Sequence, residues 1–244
     1  MIGILFSDVD GTLYHENYNS KTGLNRNTVR MLETINAEVP FYICSGRSLE
    51  NFRRLPYIPH KGGIIEFGAY VQENDVFDND WQQQFDEHRS MTEFVDRCLK
   101  REGLRIIRTP HTLRLSKAEL DNSQAEEIKH ELLCLYAQKS LDLKTVETTY
   151  EIIVMPQGAS KESAIIYLCG KNGISLDQAA YIGDGKRDIP IMELVSVPIT
   201  LASAKPEVKD LVRNRGGFVA DKSFVEGTEQ TLDWFIRRCL EQNA

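Results

Sequence analysis

No stretch of this 244-residue chain approaches the roughly 20 consecutive apolar residues that a membrane-crossing helix requires, so a helical membrane protein is not expected. The apolar run MIGILF has no basic leader and meets Asp8 almost at once, which speaks against a signal peptide or an anchor and makes a cytoplasmic location the expectation. A surplus of basic charge is missing too. With 29 Lys+Arg against 36 Asp+Glu, the formal net charge is −7, which disfavours a nucleic-acid binder that relies on a basic surface. A small ligand fits that balance better. Cysteine is sparse: Cys44, Cys98, Cys134, Cys169 and Cys239 are odd in number, widely spaced and without a Cys-x-x-Cys pair. That argues against both a disulfide framework and a zinc site, and leaves reduced, buried thiols as the expectation. Solenoid repeats and low-complexity tracts are also missing.

What remains is a globular composition, 41% hydrophobic and 27% charged, at a length that allows one large domain or a domain carrying an inserted subdomain. Residues 2–7 are an apolar run of strand length. The stretch TGLNRNTVRMLETINA places Leu24, Val29, Leu32 and Ile35 near helical spacing, and VPFYIC resumes a strand pattern, so the opening reads as a βαβ unit. The alternation returns after residue 156. SKESAIIYLCGKNG reads as a helix, AAYIG as a strand, DIPIMELV as a helix, VPITL as a strand, and PEVKDLVRNRGG as a helix started by Pro and stopped by Gly. Such a pattern predicts a parallel sheet with helices on both faces.

The middle differs in kind. SMTEFVDRCLKREG predicts a helix, LRIIR and TLRLS two short strands, residues 122–138 a second helix, and LDLKTVE and YEIIVM two more strands. The expected organisation is therefore an α/β core built from residues 1–82 and 155–244, split by an α+β insert over 83–154.

On that scaffold the chemistry-bearing residues gather at strand ends. Asp8 and Asp10 follow the first strand, CSGR (Cys44 to Arg47) follows the second, Lys161 opens a helix after the insert, and GDGKRD (Gly183 to Asp188) follows AAYIG. In open parallel sheets that edge binds ligands, because loops and helix N-termini converge there with free amides. Four segments thus offer carboxylates (Asp8, Asp10, Asp184, Asp188) and phosphate-compatible groups (Ser45, amides near Gly11 and Gly46, Lys161). Carboxylates cluster stably around a cation, and an all-oxygen set suits a hard divalent ion, Mg²⁺ first, which is commonly shared with a substrate phosphate. Alternate residues of an extended segment point the same way, so Asp8 and Asp10 can both face the crevice while Val9 turns inward. Arg47 reads as structural, and His15, His60 and His111 show no ligand spacing and are assigned to surface or loop.

DVDGT, CSGR, a lysine after an insert, and GDGKRD resemble, in order, the four motifs of the haloacid dehalogenase superfamily of phosphohydrolases, over essentially the whole chain. The insert between the second and third motifs resembles a type C2 cap of the Cof-like branch, in its small C2B form. The resemblance implies a Rossmann-like parallel-sheet core with a cap, and a phosphatase acting on small phosphorylated metabolites such as sugar phosphates, as a monomer or small homo-oligomer without nucleic acid or membrane partners. It makes Asp8 the nucleophile that forms an aspartyl-phosphate, and Asp10 the group that protonates the leaving oxygen and activates water. Mg²⁺ would be held by the carboxylates of Asp8 and Asp184 and by the backbone carbonyl of Asp10, with Asp188 in support. Ser45, the Gly46 amide and Lys161 would bind phosphoryl oxygens. The resemblance leaves room for a phosphomutase or phosphotransferase, or for a regulator that binds a phosphometabolite without turnover. Two positions depart from the family pattern. Phe67 stands where Cof-like members usually show Asn, and Arg187 stands before Asp188 where they usually show Asn. Both become candidates for substrate specificity, Arg187 either at the entrance, bound to an anionic substrate group, or paired with Asp184 or Asp188 in competition with the metal.

Overall fold

The computed structural model describes residues 2–16, 24–99 and 104–240. The chain divides into two compact units, Met1–Phe77 with Lys161–Ala244, and Asp78–Ser160. In the first unit, β1 (Ile4–Asp8) is buried at every position but its last, with Ile4, Leu5 and Phe6 apolar, as suits a parallel strand covered on both faces. Helix α1 (Arg26–Glu38) begins where the Asn25 side chain accepts the Thr28 amide at 2.8 Å, and it buries Thr28, Leu32 and Ile35. Thr22 and Gly23, at the start of the predicted helix, lie outside the described residues. Next come β2 (Phe41–Cys44), the short α2 (Leu49–Phe52) capped by Ser48, β3 (Gly62–Ile65), β4 (Tyr70–Glu73) and β5 (Val76–Phe77).

The second unit opens with α3 (Asn79–Gln83) and α4 (Asp86–Cys98), followed by β6 (Ile106–Arg108), β7 (Leu113–Ser116), α5 (Asn122–Lys139), β8 (Leu143–Glu147) and β9 (Glu151–Pro156). Its sheet is antiparallel, in the order β6-β7-β9-β8. One face is apolar: Leu113, Leu115, Ile152 and Val154 share a core with Val95, Ile128 and Leu132 of the two longer helices. Helix α5 starts at a reciprocal cap in which Asp121 accepts from the Gln124 amide and Gln124 accepts from the Asp121 amide. Helix α4 begins at Asp86, ahead of the predicted Ser90, and the acidic first turn Asp86–Glu87 is the electrostatic reason. Its predicted end, Lys100 to Gly103, lies outside the described residues.

The chain then returns to the first unit through α6 (Lys161–Lys171), β10 (Ala179–Ile182), α7 (Ile189–Leu194), β11 (Val197–Thr200), α8 (Pro206–Asn214), β12 (Phe218–Val219) and α9 (Phe224–Phe235). The eight-stranded sheet runs β12-β11-β10-β1-β2-β3-β4-β5, parallel from β12 to β3 and antiparallel beyond. Chain order reverses between β1 and β10, so their carboxyl ends diverge and a crevice opens there.

One expectation is corrected. All five cysteines are free, but Cys98 is exposed and Cys134 partly exposed, because neither position of the helices lies on the buried stripe. His15 and His111 lie in loops, as expected, but are buried there; the His15 ring bonds the Thr228 hydroxyl, and the His111 ring packs against Phe85. No helix among the described residues is long and apolar enough to cross a membrane.

Candidate active site

At the end of β1 the chain turns sharply. The Val9 carbonyl accepts amides from Thr12, Leu13 and Tyr14, and Gly11 adopts φ +85°, a left-handed conformation glycine takes without penalty. Val9 is fully buried while the carboxylates on either side reach the crevice edge. Their surroundings differ. Asp8, with a side chain 13% exposed, accepts Lys161 Nζ at 2.6 Å; Asp10, 48% exposed, is gripped by Arg47 through Nε (2.9 and 3.1 Å) and Nη2 (2.6 Å). One carboxylate is deep beside a lysine, the other shallow beside an arginine.

Register places the second segment next to the first. Cys44 at the end of β2 pairs with Asp8, so Ser45, Gly46 and Arg47 continue beside it. The buried Ser45 donates its amide to the Ile64 carbonyl and accepts the Arg47 amide on its hydroxyl at 3.1 Å. The Ser45 carbonyl accepts the Phe67 amide at 3.1 Å. The ring of Phe67 lies so close over Gly46 that a Cβ there would fall 2.2 Å from its Cζ. Glu66 and Phe67 both have left-handed backbones, φ +51° and +55°, which costs on the order of 1–3 kcal/mol each for residues other than glycine. The buried Glu66 carboxylate secures the turn by accepting the Leu49 amide at 2.8 Å.

Lys161, the first residue of α6, is 7% exposed and shared: its Nζ lies 2.6 Å from Asp8 Oδ1, 3.1 Å from Asp188 Oδ1 and 3.4 Å from the Tyr181 hydroxyl. Tyr181, fully buried in β10, donates to Asp188 Oδ1 at 2.7 Å. The other Asp188 oxygen accepts the amides of Asp184 and Gly185 at 3.2 and 3.0 Å, so this carboxylate orders the loop and does not cap α7. Asp184 accepts the Thr12 hydroxyl at 3.1 Å. One carboxylate oxygen from each of Asp8, Asp184 and Asp188 lies within 4.8 Å of the others. Asp10 adds no side-chain oxygen to that group, its carboxylate being taken by Arg47. The Arg187 guanidinium sits 5.3 Å from the centroid of the Phe67 ring. The partners of Asp184 and Asp188 are Thr12, Lys161, Tyr181 and loop amides, so the expected alternative of Arg187 paired with those carboxylates is not what the structure holds.

Comparison with known proteins follows the same lines. The family described as sucrose-6F-phosphate phosphohydrolase matches residues 2–236. The chain belongs to this family. It is thereby a phosphoric monoester hydrolase of the haloacid dehalogenase superfamily. A phosphoglycolate phosphatase of Methanopyrus kandleri is 23% identical over 99% of both chains. One from Methanothrix thermoacetophila is 32% identical over 38% of this chain, a match spanning 40% of that relative's length. Among solved structures, the sucrose-phosphatase of Synechocystis sp. PCC6803, in complex with sucrose and phosphate, covers 96% of this chain and 98% of its own at a TM-score of 0.68 and 16% identity, which shows a shared fold.

In this haloacid dehalogenase-type site, burial and mutual repulsion set the electrostatics. Burial pushes the Asp8 carboxyl up to about 8, with Lys161 pulling the other way and Asp188 adding to the rise. Burial and then Asp188 push Asp184 up to about 6. For Lys161, burial alone would lower the ammonium, but Asp188 and Asp8 outweigh it and hold it above its usual value. Burial holds the Cys44 thiol above its ordinary range, so it stays protonated. One internal cation thus faces three carboxylates, which is too little positive charge for all of them to ionise in a buried place.

Four contributors escaped the sequence reading: Arg47, read as structural, holds Asp10; Thr12 holds Asp184; Tyr181 holds Asp188; Glu66 holds the Phe67 turn. For Tyr181 a signal existed, since a tyrosine inside the apolar strand AAYI needs a partner for its hydroxyl. For Glu66 there was none.

Proposed function

We propose that this phosphatase is Mg²⁺-dependent and hydrolyses small phosphate monoesters, such as sugar phosphates or phosphoglycolate, through an aspartyl-phosphate on Asp8. The observation that carries the reading is the separation of two neighbouring carboxylates into different surroundings: Asp8 deep, beside Lys161 and two further carboxylates, and Asp10 shallow, held by Arg47. Environments that differ in this way assign different roles to like groups.

The donor set fits a hard divalent ion. Three carboxylate oxygens stand within 4.8 Å of one another with a single lysine among them, and Gly11 keeps the space beside Asp184 open, since a Cβ there would lie 2.6 Å from Asp184 Oδ2. Asp8, Asp184 and the backbone carbonyl of Asp10 would hold Mg²⁺, with Asp188 in support. Bound there, the ion would offset the phosphate's charge and polarise the phosphoryl group.

The chain's own residues do the rest. Lys161 and the Ser45 hydroxyl, with the amide of Gly46, bind phosphoryl oxygens and draw negative charge away from phosphorus. Asp8 attacks in line; the bond from phosphorus to the ester oxygen breaks, and protonated Asp10 gives its proton to the departing oxygen. The carboxylate thus formed on Asp10 is stabilised by Arg47. Asp10 then takes a proton from water as that water attacks phosphorus, which releases phosphate and restores Asp8. The insert, residues 83–154, acts as a C2-type lid that excludes water and contacts the leaving group. Replacing it by a short linker should keep aryl phosphatase activity and lose discrimination among sugar phosphates; intact selectivity would remove it from that role.

The direct test is release of inorganic phosphate from an aryl phosphate by the purified protein, with Mg²⁺ and with excess chelator. Release that survives chelation would overturn the metal dependence. No release under any divalent ion would overturn the phosphatase reading.

A further inference from the structure

Beside the amino ends of β2 and β3, where Asn36 leads into one strand and His60 into the other, lies a cavity of about 690 Å³ that no step above uses. Its floor is a row across three strands. Ile43 of β2 stands in register with Gly63 of β3, and Gly63 with Gln72 of β4, so the three share one face of the sheet. The glycine makes room for a wall, because a Cβ on Gly63 would lie 2.7 Å from Cζ of the Phe52 ring. Phe52 and Ile58 are buried in that wall, and Tyr57 stands exposed at the rim. Two polar groups in this apolar setting have no work in the fold. Gln72 is only 8% exposed and lines the cavity, yet among the described residues its side-chain amide has no hydrogen-bond partner, although a carboxamide brings two donors and an acceptor. Folded proteins leave few such groups unsatisfied. The His60 ring, also in the lining, has an Nδ1 sealed from solvent and unpartnered, and burial lowers its pKa below the ordinary 6.5 against the pull of Asp75, so the ring is neutral at pH 7. A sealed nitrogen with no acceptor is better kept as a lone pair, which puts the ring proton on Nε2 as a donor. Charge around the cavity suits no anion: Glu33 and Asp75 are acidic and Arg53 basic, all three exposed.

We propose that this cavity is a second binding site, for an uncharged heteroaromatic base such as that of a nucleoside, whose edge pairs with the Gln72 carboxamide while its face lies on the apolar wall. A carboxamide meets an adjacent donor and acceptor on one ring edge with two hydrogen bonds, as glutamine does with adenine. Aromatic side chains such as Phe52 and Tyr57 stack on any base. The volume falls within the roughly 300–1,000 Å³ of small-molecule pockets, which are largely apolar with a few polar groups that fix orientation. A polyol lacks the flat face this wall would cover, and a phosphate or carboxylate would meet two carboxylates against one guanidinium. The site is built from side chains outside the phosphoryl site and stands whether or not the phosphatase reading does.

The test is isothermal titration calorimetry of wild type, Gln72→Leu and Tyr57→Ala with adenosine, guanosine, cytidine and uridine in turn, in saturating inorganic phosphate and Mg²⁺ so that the phosphoryl site is occupied. At least one nucleoside should bind wild type with a stoichiometry of one and a Kd of about 1 mM or tighter. Gln72→Leu is close in volume and removes only the amide. It should weaken that binding by about tenfold or more, the scale of two neutral hydrogen bonds, while aryl phosphate turnover stays at the wild-type rate. Tyr57→Ala changes a side chain that folding leaves in solvent, so it reports on the rim even if Gln72→Leu proves unstable, and it should weaken binding several-fold. Ribose and ribose 5-phosphate should give no binding heat at the same concentrations. Absence of binding by all four nucleosides overturns the proposal. So does unchanged affinity in Gln72→Leu, or in Tyr57→Ala where Gln72→Leu does not fold, and so does ribose or its phosphate binding as well as the nucleoside.

Discussion

Charged side chains meet in both units of this protein, and they do so under opposite rules. In the second unit Lys117 and Lys129 converge on Glu147, and Arg108 meets Asp96, all at least partly exposed; Arg114, nearly fully buried beside Glu151, is the exception. At the carboxyl edge of the first unit, Asp8, Lys161, Asp188 and Tyr181 form a chain of contacts shorter than 3.5 Å with almost no exposure. Exposed pairs are screened and contribute little, whereas a buried cluster loses hydration and stays stable only with close partners. The buried arrangement is the one that natural sequences retain for chemistry. The contrast can be sharpened by substitution on each side.

The largest effect should come from Asp8→Asn. Turnover should fall by about 10⁴-fold or more, the scale of losing a catalytic nucleophile, while thermal unfolding stays cooperative. Activity within tenfold of wild type would break the contrast, since the buried cluster would then be no more than structural. Gly46→Ala should come next. Its methyl would overlap the Phe67 ring, so either the ring or the phosphate loop must shift, with about 1–3 kcal/mol lost in denaturant unfolding and a raised KM. An unchanged unfolding midpoint would show that the ring does not press on this loop.

Tyr181→Phe keeps the shape and removes one donor from the buried Asp188, so about 1.5–3 kcal/mol of stability should go with it, read by urea titration. A loss no larger than that of a surface pair would mean that the cluster gains little from its depth. The matching surface change, Arg108→Gln, should cost no more than about 1 kcal/mol by the same titration, and less at high salt.

Acidity separates the regions by sign. Asp8 and Asp184 titrate higher in the folded than in the unfolded chain, so the folded state binds more protons and, without metal, stability falls as pH rises from about 4 through about 6 and about 8. For His111 of the second unit, burial lowers the folded value below the ordinary 6.5, so its contribution is present above that pH and is lost as pH falls through the lowered value. Melting curves in chelator should show the first slope, and Asp8→Asn should flatten it. A metal-free protein whose melting temperature rises steadily from pH 6 to 8 would contradict this electrostatic account.

Much of this was legible in the sequence because strand ends announce themselves. DVDGT after a buried apolar run and GDGKRD after AAYI placed Asp8, Asp10, Asp184 and Asp188 at one edge, since a parallel sheet puts all its carboxyl ends together. Side-chain partners were harder to read. That Arg47 turns to Asp10 depends on two loops meeting across 37 residues, and Lys161 reaches Asp8 across 153, distances over which no local pattern speaks. The Phe67 turn was illegible for another reason: left-handed backbone is the natural place for Gly or Asn, and a phenylalanine there reads as strand or helix from its own preferences. Helix α9 was missed because FVEGTEQTLDWF carries a glycine and two threonines, poor helix formers, and is stabilised by burying Thr231, Leu232 and Phe235.

The central claim is that Asp8, of the two carboxylates in DVDGT, becomes phosphorylated. Acid quenching during turnover of an aryl phosphate, followed by peptide mass spectrometry, tests it most directly. The account predicts one added phosphoryl group on the peptide containing Asp8, located at Asp8 by fragmentation and gone in Asp8→Asn. A phosphoryl group on Asp10 or elsewhere, or continued turnover by Asp8→Asn with no phosphorylated peptide, would contradict it.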